Sequence, residues 1–138
     1  MNYTEIPSSE IVANTTASLT ERNFEPIVVN TKEEALEKIK ELIPAGASVM
    51  NGSSVTLKEI GFVDYLKSNH HGWNNLHEAI LKETDPAKQA ELRRQALLSD
   101  YYLGSVHAIA ETGELVIGSN SGSQLPDDFR TLVPSDIL

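Results

Sequence analysis

Apolar and polar residues follow two rhythms along this chain, one helical and one extended. Ile11, Val12 and Leu19 share a face across residues 9–23, predicting a helix that Thr15 and Thr16 weaken. Phe24-Glu25-Pro26-Ile27-Val28-Val29-Asn30 predicts a strand, since an Ile-Val-Val run suits a sheet covered on both faces. Thr31-Lys32-Glu33-Glu34 has the form of a capping box, in which hydroxyl and carboxylate each satisfy a free backbone N–H. The helix it opens carries Ala35, Leu36, Ile39, Leu42 and Ile43 at helical spacing and stops at Pro44 and Gly46. A short strand over 47–50 follows. A second capping box, Thr56 with Glu59, then predicts another helix, interrupted at Gly61 and resumed by Phe62 to Leu66.

Residues 68–84 hold the single Trp and three of the four His, and read as a polar connector with a helix near 76–81. Asp85-Pro86 is a strong helix start, because Asp caps and Pro tolerates the first turn. That helix runs to about Leu98. Strand-like runs over 101–110 and 114–118 flank Glu111-Thr112-Gly113, where Gly113 can take the positive φ of a hairpin loop. Two strand–helix units ahead of a hairpin predict an α/β fold: a mixed, mostly parallel sheet flanked by helices. Ligands in such sheets bind beyond the carboxyl ends of the strands, and the loops 51–56 and 119–124 fall there.

Composition narrows the function classes. One domain fits 138 residues. Formal charge is −9, with only 11 Lys and Arg against 20 Asp and Glu. Duplex binding needs clustered cations to displace phosphate counterions, so no nucleic-acid partner is expected. The same balance disfavours anionic membrane surfaces, and no run approaches the roughly 20 apolar residues of a spanning helix. Without cysteine there is no disulfide, thiolate metal site or iron–sulfur ligation. The first residues lack a basic region with an apolar run, so a cytoplasmic protein is expected.

Two loops could carry chemistry. In Asn51-Gly52-Ser53-Ser54-Val55-Thr56, Gly52 lets backbone approach a ligand, while Ser53, Ser54 and Thr56 offer hydroxyls to a phosphate or carboxylate. Turn-making and helix capping explain the same residues without a ligand. Ser119, Asn120, Ser121, Gly122, Ser123 and Gln124 could form an anion-holding nest, or simply an ordinary loop. Glu59 is a weak candidate general base, and its place in a capping box explains it equally. His70, His71 and His77 have no metal-ligand spacing and read as solvated surface, so neither metal nor cofactor is expected. His107 reads as a satisfied sheet histidine, and Trp73 as a packing residue.

Taken together, three segments resemble the LUD domain, the lactate-utilisation protein C family. They are Gly52-Ser53-Ser54-Val55-Thr56-Leu57-Lys58-Glu59-Ile60-Gly61, the helix from Asp85 to Tyr102, and the hairpin from Gly104 to Val116 with the Ser119 to Gln124 loop. The resemblance covers about residues 6–125 and implies a fold similar to the sugar-phosphate-isomerase and CoA-transferase-like superfamily. It also implies association with bacterial growth on lactate beside separate iron–sulfur subunits. Gly52, Ser53, Ser54, Thr56 and 119–124 match the motifs that would line the family's site. Residues 126–138 depart from the family's continuation, which implies a LUD-like domain over 1–125 and a divergent, shortened end. A missing central strand would expose a sheet edge, and dimerisation or a partner's strand could cover it.

Three readings follow. The first is a site for a small anionic or phosphorylated metabolite, enzymatic or not. The second is a non-catalytic subunit of a lactate-oxidation assembly, and the third an inactive truncated member.

Overall fold

A computed structural model describes residues 5–118. The expected 119–124 loop and the tail 126–138 lie outside the described residues.

Helix α1 spans Ser9–Glu21 and starts where the Ser8 hydroxyl accepts the Ile11 N–H at 3.3 Å. Thr15, Thr16 and Thr20 each donate their hydroxyl to the carbonyl four residues back, so their polarity is absorbed within the helix. Helix α2, Lys32–Leu42, is capped as expected by Thr31, which accepts from Glu34 N–H at 3.1 Å. Glu34 completes the box one residue early, on the Asn30 N–H at 2.8 Å. Ala35, Ile39 and Ile43, spaced four apart, turn one stripe inward. Gly46, at φ +85°, closes the turn into β1, Ser48–Asn51.

The loop after β1 leads to α3, Val55–Glu59, and α4, Phe62–Lys67. Left-handed Gly61 at φ +85° separates them, in keeping with the expected interruption. A two-residue strand β2, Asn74–Asn75, precedes α5, Leu76–Lys82. Helix α6, Pro86–Ala96, begins at Asp85, whose carboxylate accepts the N–H groups of Ala87 and Lys88. Strands β3, Tyr101–Leu103, β4, Ala108–Ile109, and β5, Leu115–Val116, follow.

β1 lies between β2 and β3, parallel to both, while β4 and β5 form a separate antiparallel pair. The structure is thus α/β, with a small parallel sheet and flanking helices, but its antiparallel part is a second sheet. At the start of the parallel sheet, Ser48 and Asp100 clamp β1 to β3. Ser48 donates its N–H and its hydroxyl to the Asp100 carboxylate, both at 2.8 Å, and accepts the Asp100 N–H at 2.9 Å. These bonds hold the Asp100 pKa below its ordinary value, the backbone N–H most strongly.

The core gathers on the β1 face that carries Val49. Phe62, Ile39 and Val49 are wholly buried, with Leu57, Leu66, Trp73 and Leu103 around them. Trp73 stacks on Phe62 and His71 at ring-centre distances of 6.1 and 5.4 Å. Its indole N–H donates to the Ile43 carbonyl at 3.1 Å, satisfying the polar end of a buried ring.

Three expectations need correction. Residues 24–30 are not a strand of the sheet: Ile27 alone makes an isolated bridge, and Val28 is 59% exposed. Pro26 removes a backbone donor from that run, which disfavours a ladder. The 101–110 run is divided, its first part entering the parallel sheet and its last part the hairpin. The connector 68–84 also hides β2, whose Asn pair has poor strand propensity. Asn74 pairs because its N–H donates to the Ala47 carbonyl at 2.9 Å, beside the buried Trp73.

Candidate functional site

Asn51 closes β1 in the same buried register as Val49, an unusual place for an amide. Its Nδ2 donates to the Gly52 carbonyl at 3.2 Å, whereas its buried Oδ1 has no hydrogen-bond partner among the described residues. A buried acceptor in that state favours any donor that reaches it. From here the chain turns toward β3. The Gly52 N–H donates to the Leu103 carbonyl at 2.9 Å, extending the ladder by one step. The Ser54 hydroxyl accepts the Leu57 N–H at 3.1 Å and donates to Ser105 Oγ at 3.0 Å. The helix cap is therefore Ser54, not Thr56, and the expected Thr56–Glu59 box does not form. Thr56 already lies inside α3, where its N–H is no longer in the position that a box would satisfy.

That single serine–serine bond joins the loops leaving two adjacent parallel strands. A cavity of about 620 Å³ opens beside them, between α2, α3 and the chain from β3 to β4. Thr56 and Ser105 stand in its wall, as do Thr31 and Lys32 at the start of α2. Gly52, Ser53 and Ser54 do not line it; Ser54 meets it only through Ser105. Glu59, the weak candidate base, is exposed at the last residue of α3 and is also outside the wall.

No Asp, Glu or His stands among the described lining residues of the cavity. The carboxyls held below their ordinary pKa are Glu91, by hydrogen bonds from Arg94 and Gln95, Asp100, by Ser48, and Glu114, chiefly by the Thr112 hydroxyl. None of the three lines it. Among the described residues no group of three or more His, Asp or Glu is arranged to hold a metal ion. His71 packs against Trp73, its Nδ1 accepting the Trp73 N–H at 2.9 Å, while exposed His107 accepts the Gly118 N–H on Nδ1 at 3.0 Å. No helix of the described residues is long and apolar enough to cross a membrane.

Of the wall residues only Thr56 is a candidate from the sequence; Thr31, Lys32 and Ser105 are polar wall residues that are not. Taking 101–110 as one strand concealed a strand end at Leu103, although Gly104-Ser105 is itself a loop signal. Lys32 stands in the sequence only as an inner position of the Thr31 capping box.

The family model for the LUD domain matches residues 12–126, well over half of the chain. This chain belongs to the LUD-domain family. Membership associates it with lactate utilisation. No curated protein and no solved structure gives a significant match. The matched span of this LUD domain takes in α2 through β5 and most of α1, including both loops joined by Ser54 and Ser105.

Proposed function

We propose that this LUD domain binds a small anionic metabolite of lactate utilisation, carboxylated or phosphorylated, at the loops after β1 and β3. The Ser54–Ser105 bond carries the reading, because it draws together hydroxyl-bearing loops at the carboxyl ends of neighbouring parallel strands. Gly52 supplies a close backbone approach and Ser53 and Thr56 hydroxyl donors, while Ser54, whose proton goes to Ser105, leaves the Ser105 hydroxyl free to donate. The test is a thermal melt with lactate, pyruvate, sugar phosphates, CoA and folates. A compound at a hundred times its dissociation constant adds about 2.7 kcal/mol, a readable shift. Gly52→Val should abolish that shift while keeping the fold, since the backbone N–H bonded to Leu103 remains. If no compound raises the melt, the binding reading fails.

A second reading, a subunit in a larger assembly, draws on β3, which is an edge of the parallel sheet among the described residues. It predicts co-purification with iron–sulfur lactate-utilisation subunits or a homodimer in solution. A strictly monomeric, solitary protein counts against it.

A further inference from the structure

The cavity beside the joined loops gathers a few polar residues near the strand ends within a mostly apolar wall. Helix α2 passes through a tight turn straight into β1, so it runs back along the sheet and its first turn sits over the strands' carboxyl ends. Asn30, Thr31 and Lys32 therefore share one end of the cavity with Thr56 and Ser105. The rest of the lining is largely apolar: Ile39, Leu42 and Ile43 further along α2, and Val29, Leu57 and Val106 beside the polar group. Among the described residues that line it, Lys32 is the only charged one, in a chain of formal charge −9. A volume of about 620 Å³ is within the ordinary range for drug-sized ligands and far exceeds a three-carbon acid.

We infer that the ligand is an amphipathic anion: a carboxylate or phosphate head at Lys32, Thr56 and Ser105, with an apolar body running along α2 over Ala35 and Ile39. This rests on the binding reading above and deepens it by adding the body. Coulombic attraction to Lys32 selects the head, and burial of the body against α2 and β3 supplies most of the affinity. A head-only anion would leave the apolar wall uncovered.

The test is calorimetric titration of the full chain with decanoate, decanol, lactate and inorganic phosphate, each below any micellar concentration. Decanoate should bind at least tenfold tighter than decanol and than either small anion. Lys32→Glu should weaken decanoate at least tenfold without harming the fold, since an acid in the first turn of a helix suits its dipole. Ala35→Leu should weaken it by filling the cavity; if that variant does not fold, the charge reversal and the four-ligand comparison decide. Lactate or phosphate binding as tightly as decanoate would overturn the apolar body and leave the small-anion site standing. Equal affinity for decanol and decanoate would overturn the charged head, and decanoate binding indifferent to both variants would place it elsewhere. No binding by any of the four probes would overturn the amphipathic ligand, whereas the binding reading itself falls only if the thermal-melt panel also shows no shift.

Discussion

The parallel sheet is held chiefly by side chains that water does not reach, with the exposed Ser48–Asp100 clamp at its start, whereas the hairpin of β4 and β5 is tied to α1 by groups that water surrounds. In the first region Phe62, Val49 and Ile39 are wholly buried and Trp73 stacks between rings. In the second, Arg22 pairs with Glu114 and donates to the Thr112 carbonyl at 3.0 Å, and Asn14 donates to Glu111 at 2.8 Å. Both partners of the ion pair are about half exposed. Buried apolar contacts resist salt and pH, while exposed ion pairs contribute little and are screened. The hairpin therefore depends on shape where the sheet depends on burial. Gly113 makes that shape: it sits at φ +89°, and a Cβ there would lie 2.9 Å from Arg22 Nε and 3.1 Å from the Ser18 carbonyl carbon.

The largest expected effect breaks the sheet side of this contrast. Phe62→Ala should cost about 3–5 kcal/mol by leaving a cavity against Trp73, measured by urea unfolding. A loss below 1 kcal/mol would show that the core is loosely packed. Next comes the hairpin: Gly113→Ala should cost about 1–3 kcal/mol from left-handed strain and crowding against α1, with exchange protection lost first at β4 and β5. Uniform loss of protection across the chain would mean that the two regions unfold together.

Smaller still is Ser54→Ala, expected to cost about 1 kcal/mol through the cap of α3 and to release Ser105. The smallest effect is one of pH. Glu114 ionises below its ordinary pKa, because the Thr112 hydroxyl, above all, and Arg22 favour its charged form. Such a group stabilises the fold above the pKa it has when unfolded, and the contribution is lost as pH falls through the lowered folded value. Glu114→Gln should thus lower the hairpin's neutral stability slightly and flatten the acid side of its stability profile, the two proteins converging at low pH. An unaltered acid profile would remove the carboxylate from the joint.

How legible each region was in the sequence follows the same division. The helices were plain, because Thr31 and Asp85 cap them and Ala35, Ile39 and Ile43 repeat at helical spacing. Gly61 and Gly113 were readable as backbone exceptions, and both take positive φ. The parallel ladder was only partly legible. β1 was expected to within a residue, but β2 consists of two asparagines whose pairing is dictated by neighbours rather than propensity, and Pro26 spoiled an otherwise convincing strand. At the site, the first loop's place beyond β1 was foreseen. Its link to Ser105 was not, since 51 residues separate the two hydroxyls and no local pattern encodes that meeting. The cap assignment failed for a related reason: Ser54 and Thr56 are both good caps, and no local pattern chooses between them.

Trp73 gives this molecule a built-in optical probe. It is the only tryptophan in the chain, it is 8% exposed, and it sits in the parallel-sheet core. Residues 104–118 of the hairpin region contain no aromatic ring apart from the His107 imidazole. Tryptophan emission therefore reports the parallel-sheet core and is nearly blind to the hairpin, whereas far-ultraviolet dichroism averages over every element. Superimposable unfolding curves from the two signals would show one cooperative unit. A dichroism change that precedes the emission change would reveal the hairpin and α1 coming away while the core still stands.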